Sequence, residues 1–169
     1  MAILKTVNTT EKYRDDNARI DLINYVTAPN KTPHGYCYGL GVNTDSAAAA
    51  AEDMRQVAAS FGKDSGVRLR HFIISFAHNE VRSLRKLNGI AWEITAYLGN
   101  DYQVVSAVHE DGWNYHIHFI LNAVNRVTGE RYSGTRKEFI PFKEYVRGVM
   151  IRYGIKNFRY VSHNNYEAG

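Results

Sequence analysis

The chain has 169 residues, a size that suits a single domain with its own core, expected over 1–169. Its single cysteine, Cys37, excludes an intrachain disulfide and a Cys-x-x-Cys zinc site. No segment approaches the roughly 20 apolar residues of a membrane span, and the first residues, MAILKTVNTTEKYRDD, do not resemble a signal peptide. We therefore expect a cytoplasmic protein without membrane insertion.

The net charge of +4 is unevenly distributed along the chain. Residues 126–159 hold nine Lys and Arg against three Glu, whereas residues 1–125 hold 12 Lys and Arg against 13 Asp and Glu. A basic C-terminal third favours a polyanion such as nucleic acid. A solvated helix face is the simpler explanation of the same charges.

The hydrophobic pattern predicts strands and helices that alternate along most of the chain. In chain order these are a strand over 2–7, a helix over 17–28, a strand over 36–42, a helix over 44–62, a strand over 67–76, a helix over 79–99, strands over 102–109 and 115–124, a helix near 138–153 and a strand over 157–162. Asn17 can cap the first helix, and Gly62 can end the second. The Asp-Gly in EDGWN, 110–114, predicts a hairpin. The fold class is therefore α+β, with a mostly antiparallel central sheet flanked by helices.

Three of the seven histidines fall within residues 109–118, and their phase indicates a site. Side chains alternate between the two faces of a strand. His116 and His118 share one face with Asn122, while the other face is apolar and suits a core. His109 ends the preceding strand, and a hairpin would place it about 5 Å from His116.

Three imidazoles that converge in this way could hold one divalent ion. Three protein ligands leave coordination positions open for water or substrate, as a catalytic site needs. Histidines on a wet strand face would explain any one of these residues alone. The set of three in phase favours the metal site.

The segment AVHEDGWNYHIHFILNAVNRVTGERY, which holds His109, His116, His118 and Asn122, resembles the third motif of conjugative relaxases. It resembles more closely the mobilization-type, MOBP-like relaxases of the HUH single-strand endonuclease family. The segments INYVTAPNKT and RHFIISFAHNEV lie where such relaxases have related segments. The resemblance implies the HUH-endonuclease (relaxase palm) architecture and a bacterial protein that starts conjugative transfer of a plasmid or integrative element.

The same resemblance implies a metal-assisted nick in single-stranded DNA at an origin of transfer. A tyrosine attacks one phosphodiester, which leaves a 5′-phosphotyrosine and a free 3′-hydroxyl. It implies Mg²⁺ or Mn²⁺ as the cofactor, and accessory relaxosome proteins and a coupling protein as partners. Tyr25 in LINYVTAPNK matches the family nucleophile, with Tyr13, Tyr36 and Tyr38 as competitors. Without the resemblance, Tyr25 could equally be a core residue of its helix.

Other residues receive roles with weaker support. The resemblance gives Glu80 a catalytic role, either orienting a ligand histidine or helping to deprotonate the tyrosine, although a carboxylate that opens a helix is favoured there anyway. Asn122 could bond a phosphate or a ligand histidine. His71 is interpreted as a strand histidine rather than a fourth ligand, and Asp111 as the residue of an Asp-Gly turn. The predicted DNA contacts are four basic residues expected in loops near the histidines, Lys31, Arg126, Arg136 and Lys137, and Trp113 at the tip of the hairpin.

Two other classes stay open at this stage. One is a metalloenzyme that does not act on nucleic acid, either cupin-like or an iron oxygenase. Both usually need a β-rich double sheet, which four predicted helices disfavour. The other is a non-catalytic DNA-binding accessory protein, which explains the basic third but not the histidines.

Overall fold

The computed structural model describes residues 1–7, 11–77, 79–112 and 114–161. Its strands are β1 (Ala2–Val7), β2 (Cys37–Leu40), β3 (Leu69–Phe76), β4 (Val104–Asp111), β5 (Asn114–Asn122) and β6 (Phe158–Val161). Its α-helices are α1 (Ala18–Thr27), α2 (Ala47–Ser60), α3 (Leu84–Gly99) and α4 (Arg136–Arg152). A short 3₁₀ turn at Lys12–Arg14, which the pattern did not predict, precedes α1.

The six strands form one mixed sheet in the order β2-β4-β5-β3-β1-β6. Every neighbouring pair is antiparallel except β1 with β6, which is parallel. The predicted hairpin is confirmed as β4–β5 at the centre of the sheet. The α+β prediction is also confirmed. A single helix-flanked sheet does not match the double-sheet architecture of the cupin-like alternative.

Helices cover both faces of the sheet. Apolar residues of α3 and α4 pack with Ile117, Phe119 and Leu121 on one face. Residues of α1 and α2 pack with Ile120 and Leu69 on the other face, where the histidines lie. The sequence pattern had suggested that only one face of β5 belongs to a core. Both faces are buried along much of the strand, and this difference determines which polar residues remain accessible.

Two predicted details of the helix ends are wrong. The side chain of Asn17 makes no capping hydrogen bond at the start of α1. Helix α3 begins at Leu84 rather than near residue 79, and Ser83 caps it by accepting a hydrogen bond from the Lys86 N–H at 3.3 Å. Glu80 therefore precedes α3 by four residues and gains nothing from the helix dipole, which acts within the first turn.

Candidate active site

The β4–β5 hairpin brings the three predicted histidines together. His109 and His116 are direct cross-strand partners, and His118 pairs with Ala107 on the same face. The ring centroids of His109 and His118 are 4.1 Å apart, and those of His116 and His118 are 6.5 Å apart. The register predicted from the sequence is confirmed for this cluster.

Helix α1 places Tyr25 over the histidines. Leu22, Ile23 and Val26 bury one side of the helix against the sheet and α2. Tyr25 projects from the other side and is 50% exposed. Its ring centroid lies 6.1 Å from that of His109 and 6.4 Å from that of His118. An accessible phenol therefore stands next to two imidazoles.

The end of α1 and the loop that follows it are tied to β4. The ring Nε2 of His109 lies 2.6 Å from the Val26 carbonyl oxygen. The Glu110 N–H donates to the Lys31 carbonyl at 3.3 Å, and the Val108 N–H donates to that of Tyr36 at 2.9 Å. The helix that carries Tyr25 and the strand that carries His109 are thus joined by backbone and side chain. We call these three contacts the α1–β4 ties.

Two cavities border the Tyr25 ring. The first, of about 450 Å³, is polar and holds the histidines His109, His116 and His118 with two lysines, Lys5 and Lys31. The Lys31 ammonium lies 4.7 Å from the centroid of the Tyr25 ring. The second cavity, of about 600 Å³, is more apolar and lies against Tyr13, Leu22 and His71. Tyr25 and His118 line both cavities.

The histidines are held in the neutral form. Burial lowers the pKa of His118 to about 2, and repulsion from the neighbouring imidazoles adds to the effect. Burial also lowers the pKa values of His109 and His116. The neutral imidazole is the form that binds a metal ion, because one of its nitrogens keeps a lone pair. The chemistry of this donor set therefore fits a divalent cation.

The side chains of the cluster are not arranged around one common point. Within the described ranges, no three His, Cys, Asp or Glu side chains are disposed to hold one ion. One ring nitrogen of His109 contacts the Val26 carbonyl and one of His118 contacts His71, so the other nitrogen of each ring is the one that could bind an ion. The metal assignment of His109, His116 and His118 rests on their shared face and donor chemistry, and it stays a prediction.

His71 belongs to the cluster in a way that the sequence did not indicate. Its Nε2 lies 3.0 Å from Nδ1 of His118, and its Nδ1 lies 3.0 Å from the hydroxyl of Tyr13. Tyr13 and His71 are both buried. Burial therefore makes Tyr13 a poor candidate for the nucleophile. The phase of His71 on its strand was a usable signal, but the pairing of β3 with β5 could not be read from the sequence.

Glu80 lies at the same end of the sheet as His116, because β3 ends close to the Ser75–His116 pair. Its carboxylate accepts a hydrogen bond from the Ala77 N–H at 3.2 Å and lies 3.0 Å from the Met1 ammonium. No hydrogen bond within the described part of the chain joins Glu80 to a histidine. Its catalytic role stays a prediction.

Asn122 shares the face of the histidines but lies away from them. It is four residues beyond His118, or roughly 13 Å along the strand. Its side-chain amide is fully buried and donates to the Met54 carbonyl at 2.9 Å and to the Gln103 side chain at 2.8 Å. The geometry gives Asn122 a structural place between α2 and the sheet, away from any phosphate at Tyr25.

Of the four predicted DNA contacts that the structure describes, only Lys31 lies at the cluster. Arg126 donates to the Gly99 carbonyl at 2.6 Å, at the opposite end of the sheet. Arg136 begins α4, and Lys137 lines a separate cavity on the α3–α4 side. The expectation that these three lie near the histidines is wrong, and contact with DNA elsewhere stays a prediction. Trp113 lies outside the described residues.

Comparison with known families agrees with this geometry. The family model described as a MobA/VirD2-like relaxase, nuclease domain, matches residues 25–155, which is most of the chain and includes Tyr25 and all three histidines. The chain belongs to this relaxase family. It is a relaxase nuclease domain, and this assignment excludes the cupin-like and iron-oxygenase alternatives.

Two relatives of the relaxase are both named Protein rlx and come from Staphylococcus aureus. One is 36% identical over 84 residues, which cover 50% of this chain and 26% of the relative. The other is 30% identical over 100 residues, which cover 59% of this chain and 30% of the relative. The chain thus matches less than a third of either relative's length. No helix in the described part of the relaxase is long and apolar enough to cross a membrane.

Proposed function

We propose that this relaxase nicks one strand of DNA by transesterification at Tyr25, with a divalent ion, Mg²⁺ or Mn²⁺, held by His109, His116 and His118. The nick would start transfer of a plasmid or integrative element from an origin of transfer in a bacterial cytoplasm. Accessory relaxosome proteins and a coupling protein are the expected partners. The observation that carries the proposal is the position of an accessible Tyr25 over the histidine cluster.

The proposed reaction exchanges one phosphodiester bond for another. The Tyr25 hydroxyl oxygen forms a bond to phosphorus, and the bond between phosphorus and the 3′-oxygen breaks. The phenol proton leaves with solvent, and the departing 3′-oxygen takes up a proton to become a hydroxyl. A covalent 5′-phosphotyrosine stores the energy of the cleaved phosphodiester, so the same residue can later rejoin a strand.

The chain supplies positioning and charge for this step. Lys31 places an ammonium beside the Tyr25 ring, where it can pair with a phosphate. Lys5 lines the same cavity on β1. A divalent ion held by His109, His116 and His118 would polarise the scissile phosphate and offset its developing negative charge. The α1–β4 ties hold Tyr25 in register with the histidines, which supports in-line approach.

A covalent-capture assay tests the proposal. The relaxase is incubated with Mn²⁺ and single-stranded DNA, using a random pool and the sequence that flanks its own gene, and then run on a denaturing gel. We expect an adduct with the wild type, none with Tyr25→Phe, and a strong loss with His116→Ala or with a chelator. Tyr36→Phe, in the loop after α1, is the matched control and should keep the adduct.

An adduct that survives Tyr25→Phe would move the nucleophile to another tyrosine, with Tyr36 or Tyr38 as the next candidates. A folded wild type that binds the DNA and Mn²⁺ but forms no adduct would contradict the catalytic proposal. It would favour the non-catalytic DNA-binding function instead.

A further inference from the structure

A buried hydrogen-bond chain runs from the histidine cluster into the protein. His118 is joined to His71, and His71 is joined to Tyr13, each across 3.0 Å. The rings of His71 and His118 stack with centroids 5.2 Å apart. All three side chains are buried, and the proposed transesterification uses neither His71 nor Tyr13. Buried polar groups need partners, yet an apolar pair would fill this space without that requirement.

The positions of the ring nitrogens and of the Tyr13 oxygen are compatible with two directions of donation along this hydrogen-bond chain. In one direction His118 carries its proton on Nδ1 and donates to His71 Nε2, and His71 then donates from Nδ1 to the Tyr13 oxygen. In the other direction Tyr13 donates to His71, and His71 donates to His118. The second direction leaves the only His118 proton on Nε2.

The two directions have different consequences for His118. A neutral imidazole has one N–H and one lone pair. Donation from His118 Nδ1 leaves the lone pair on Nε2, the nitrogen that His71 does not occupy. Donation toward His118 places a proton on Nε2 and leaves that ring without a free lone pair. Metal-binding histidines characteristically donate their other N–H to a neighbouring acceptor, which fixes tautomer and ring orientation.

We propose that His71 is a positioning residue, which accepts a hydrogen bond from the Nδ1–H of His118 and thereby keeps the Nε2 lone pair of His118 available for the divalent ion. The Tyr13 oxygen completes the hydrogen-bond chain by accepting from the Nδ1–H of His71. The metal-binding part of this inference rests on the proposed function. The tautomer of His118 is a property of the metal-free protein and stands on its own.

Nitrogen NMR on metal-free wild type with ¹⁵N-labelled histidine tests the direction of donation. We expect both His118 and His71 as neutral Nδ1–H tautomers near pH 7. Assignments come from the loss of one set of signals in His118→Gln and another in His71→Gln. A wild-type His118 that carries its proton on Nε2 would overturn the proposal.

Titration with Mn²⁺, followed by the loss of the free-ion electron paramagnetic resonance signal, tests the consequence. His71→Leu fills the space but cannot accept a hydrogen bond from His118, so we expect the affinity for Mn²⁺ to fall about 10- to 100-fold. His71→Gln offers a side-chain oxygen as acceptor and should stay within about threefold of the wild type. A purely structural role predicts the opposite order, because leucine is better suited than glutamine to a buried position.

Affinity of His71→Leu equal to that of the wild type would overturn the positioning role. A wild type that binds no Mn²⁺ would contradict the proposed function, and the NMR result would still decide the direction of the hydrogen-bond chain. The two failures are therefore distinguishable. Circular dichroism on each variant establishes that affinities are compared between folded proteins.

Discussion

One face of β5 carries polar side chains at both ends, and a helix covers those at one end but not those at the other. At one end, Asn122 is covered by α2, and its amide nitrogen is bonded to the Met54 carbonyl and the Gln103 side chain. At the other end, His116 and His118 border a cavity that Tyr25 and Lys31 also line. We call these the covered end and the open end.

Alternation along a strand therefore determines the face on which a side chain lies but not its role. The role depends on which part of that face a helix covers. At the covered end, a polar group must find its partners inside the protein. At the open end, ring nitrogens and ammonium groups can meet a ligand. Substitutions matched between the two ends can therefore test the comparison.

The largest expected contrast is in packing. Ile120→Ala removes a fully buried side chain beneath α1 and α2, so we expect the free energy of unfolding to fall by about 3 kcal/mol. Ile73→Ala lies at the open end, where the side chain is only partly buried and lines both cavities. Ile73→Ala should therefore lower the free energy of unfolding by only about 1 kcal/mol. Urea unfolding measures both, and equal losses would mean that the open end is packed as tightly as the covered end.

A second contrast concerns buried amides. Asn122→Ala leaves the Met54 carbonyl and the Gln103 side-chain oxygen without their shared donor, so we expect a loss of about 2 kcal/mol. The same substitution at Asn30, exposed at the rim of the open end, should cost less than about 0.5 kcal/mol. Urea unfolding of both variants, with covalent capture on each, separates stability from activity. Loss of the adduct by a stably folded Asn122→Ala protein would return Asn122 to the reaction.

A third contrast is pH dependence. The pKa of His71 is lowered to about 3 by burial, while an unfolded histidine titrates near 6.5. Below pH 6.5 the unfolded chain binds a proton that the folded one does not, so stability is complete above that pH and falls as the pH drops toward 3. His71→Leu removes this imidazole, so the slope of the free energy of unfolding against pH, between pH 6 and 4, should become shallower by up to about 1.4 kcal/mol per pH unit.

The control for this slope is Ile73→Ala, which lies on the same strand and removes no titratable group. It should retain the wild-type dependence on pH, measured by urea unfolding at pH 7, 6, 5 and 4. A wild-type slope in His71→Leu would mean that His71 is already protonated in the folded protein or exposed to solvent.

The smallest expected contrast concerns the lysines. Lys31→Gln removes the ammonium beside Tyr25, so we expect single-stranded DNA to bind about three- to tenfold more weakly. The slope of log affinity against log salt should fall by about 0.7, the value for one phosphate contact. Lys137→Gln, on the α3–α4 side and away from Tyr25, should weaken binding less than Lys31→Gln does. Fluorescence anisotropy in the Tyr25→Phe background avoids cleavage, and an equal effect of Lys137→Gln would extend the DNA path to that side.

Most of the fold could be predicted from local patterns. The β4–β5 hairpin follows from two alternating segments around an Asp-Gly, so the pairing of His109 with His116 was predictable. The positions of Asn122 and Arg126 were not, because they depend on where α2 and the loop after α3 pack against the sheet. His71 was missed for the same reason. Its contact with His118 requires the pairing of β3 with β5, strands that lie about 40 residues apart in the sequence.

Glu80 shows a different limit. The helix pattern that suggested a start near residue 79 is correct from Leu84 onward, but the start depends on which residue caps the first turn. Ser83 does so through its hydroxyl, whereas the Glu80 carboxylate binds the Met1 ammonium. Helix boundaries are uncertain by a few residues when several capping residues are adjacent. Here that uncertainty changes what the carboxylate can contact.

The α1–β4 ties also determine how the protein would carry mechanical load. A DNA strand joined to Tyr25, as proposed, would pull on the end of α1, and its tension would pass through Val26 and Lys31 into β4, which lies between β2 and β5 in the sheet. Several bonds then share the force, and the helix need not unwind turn by turn. We expect a strand anchored at Tyr25 to withstand more tension than one attached to the exposed side of α2. The proposed nucleophile would thus also be the point at which the strand is anchored.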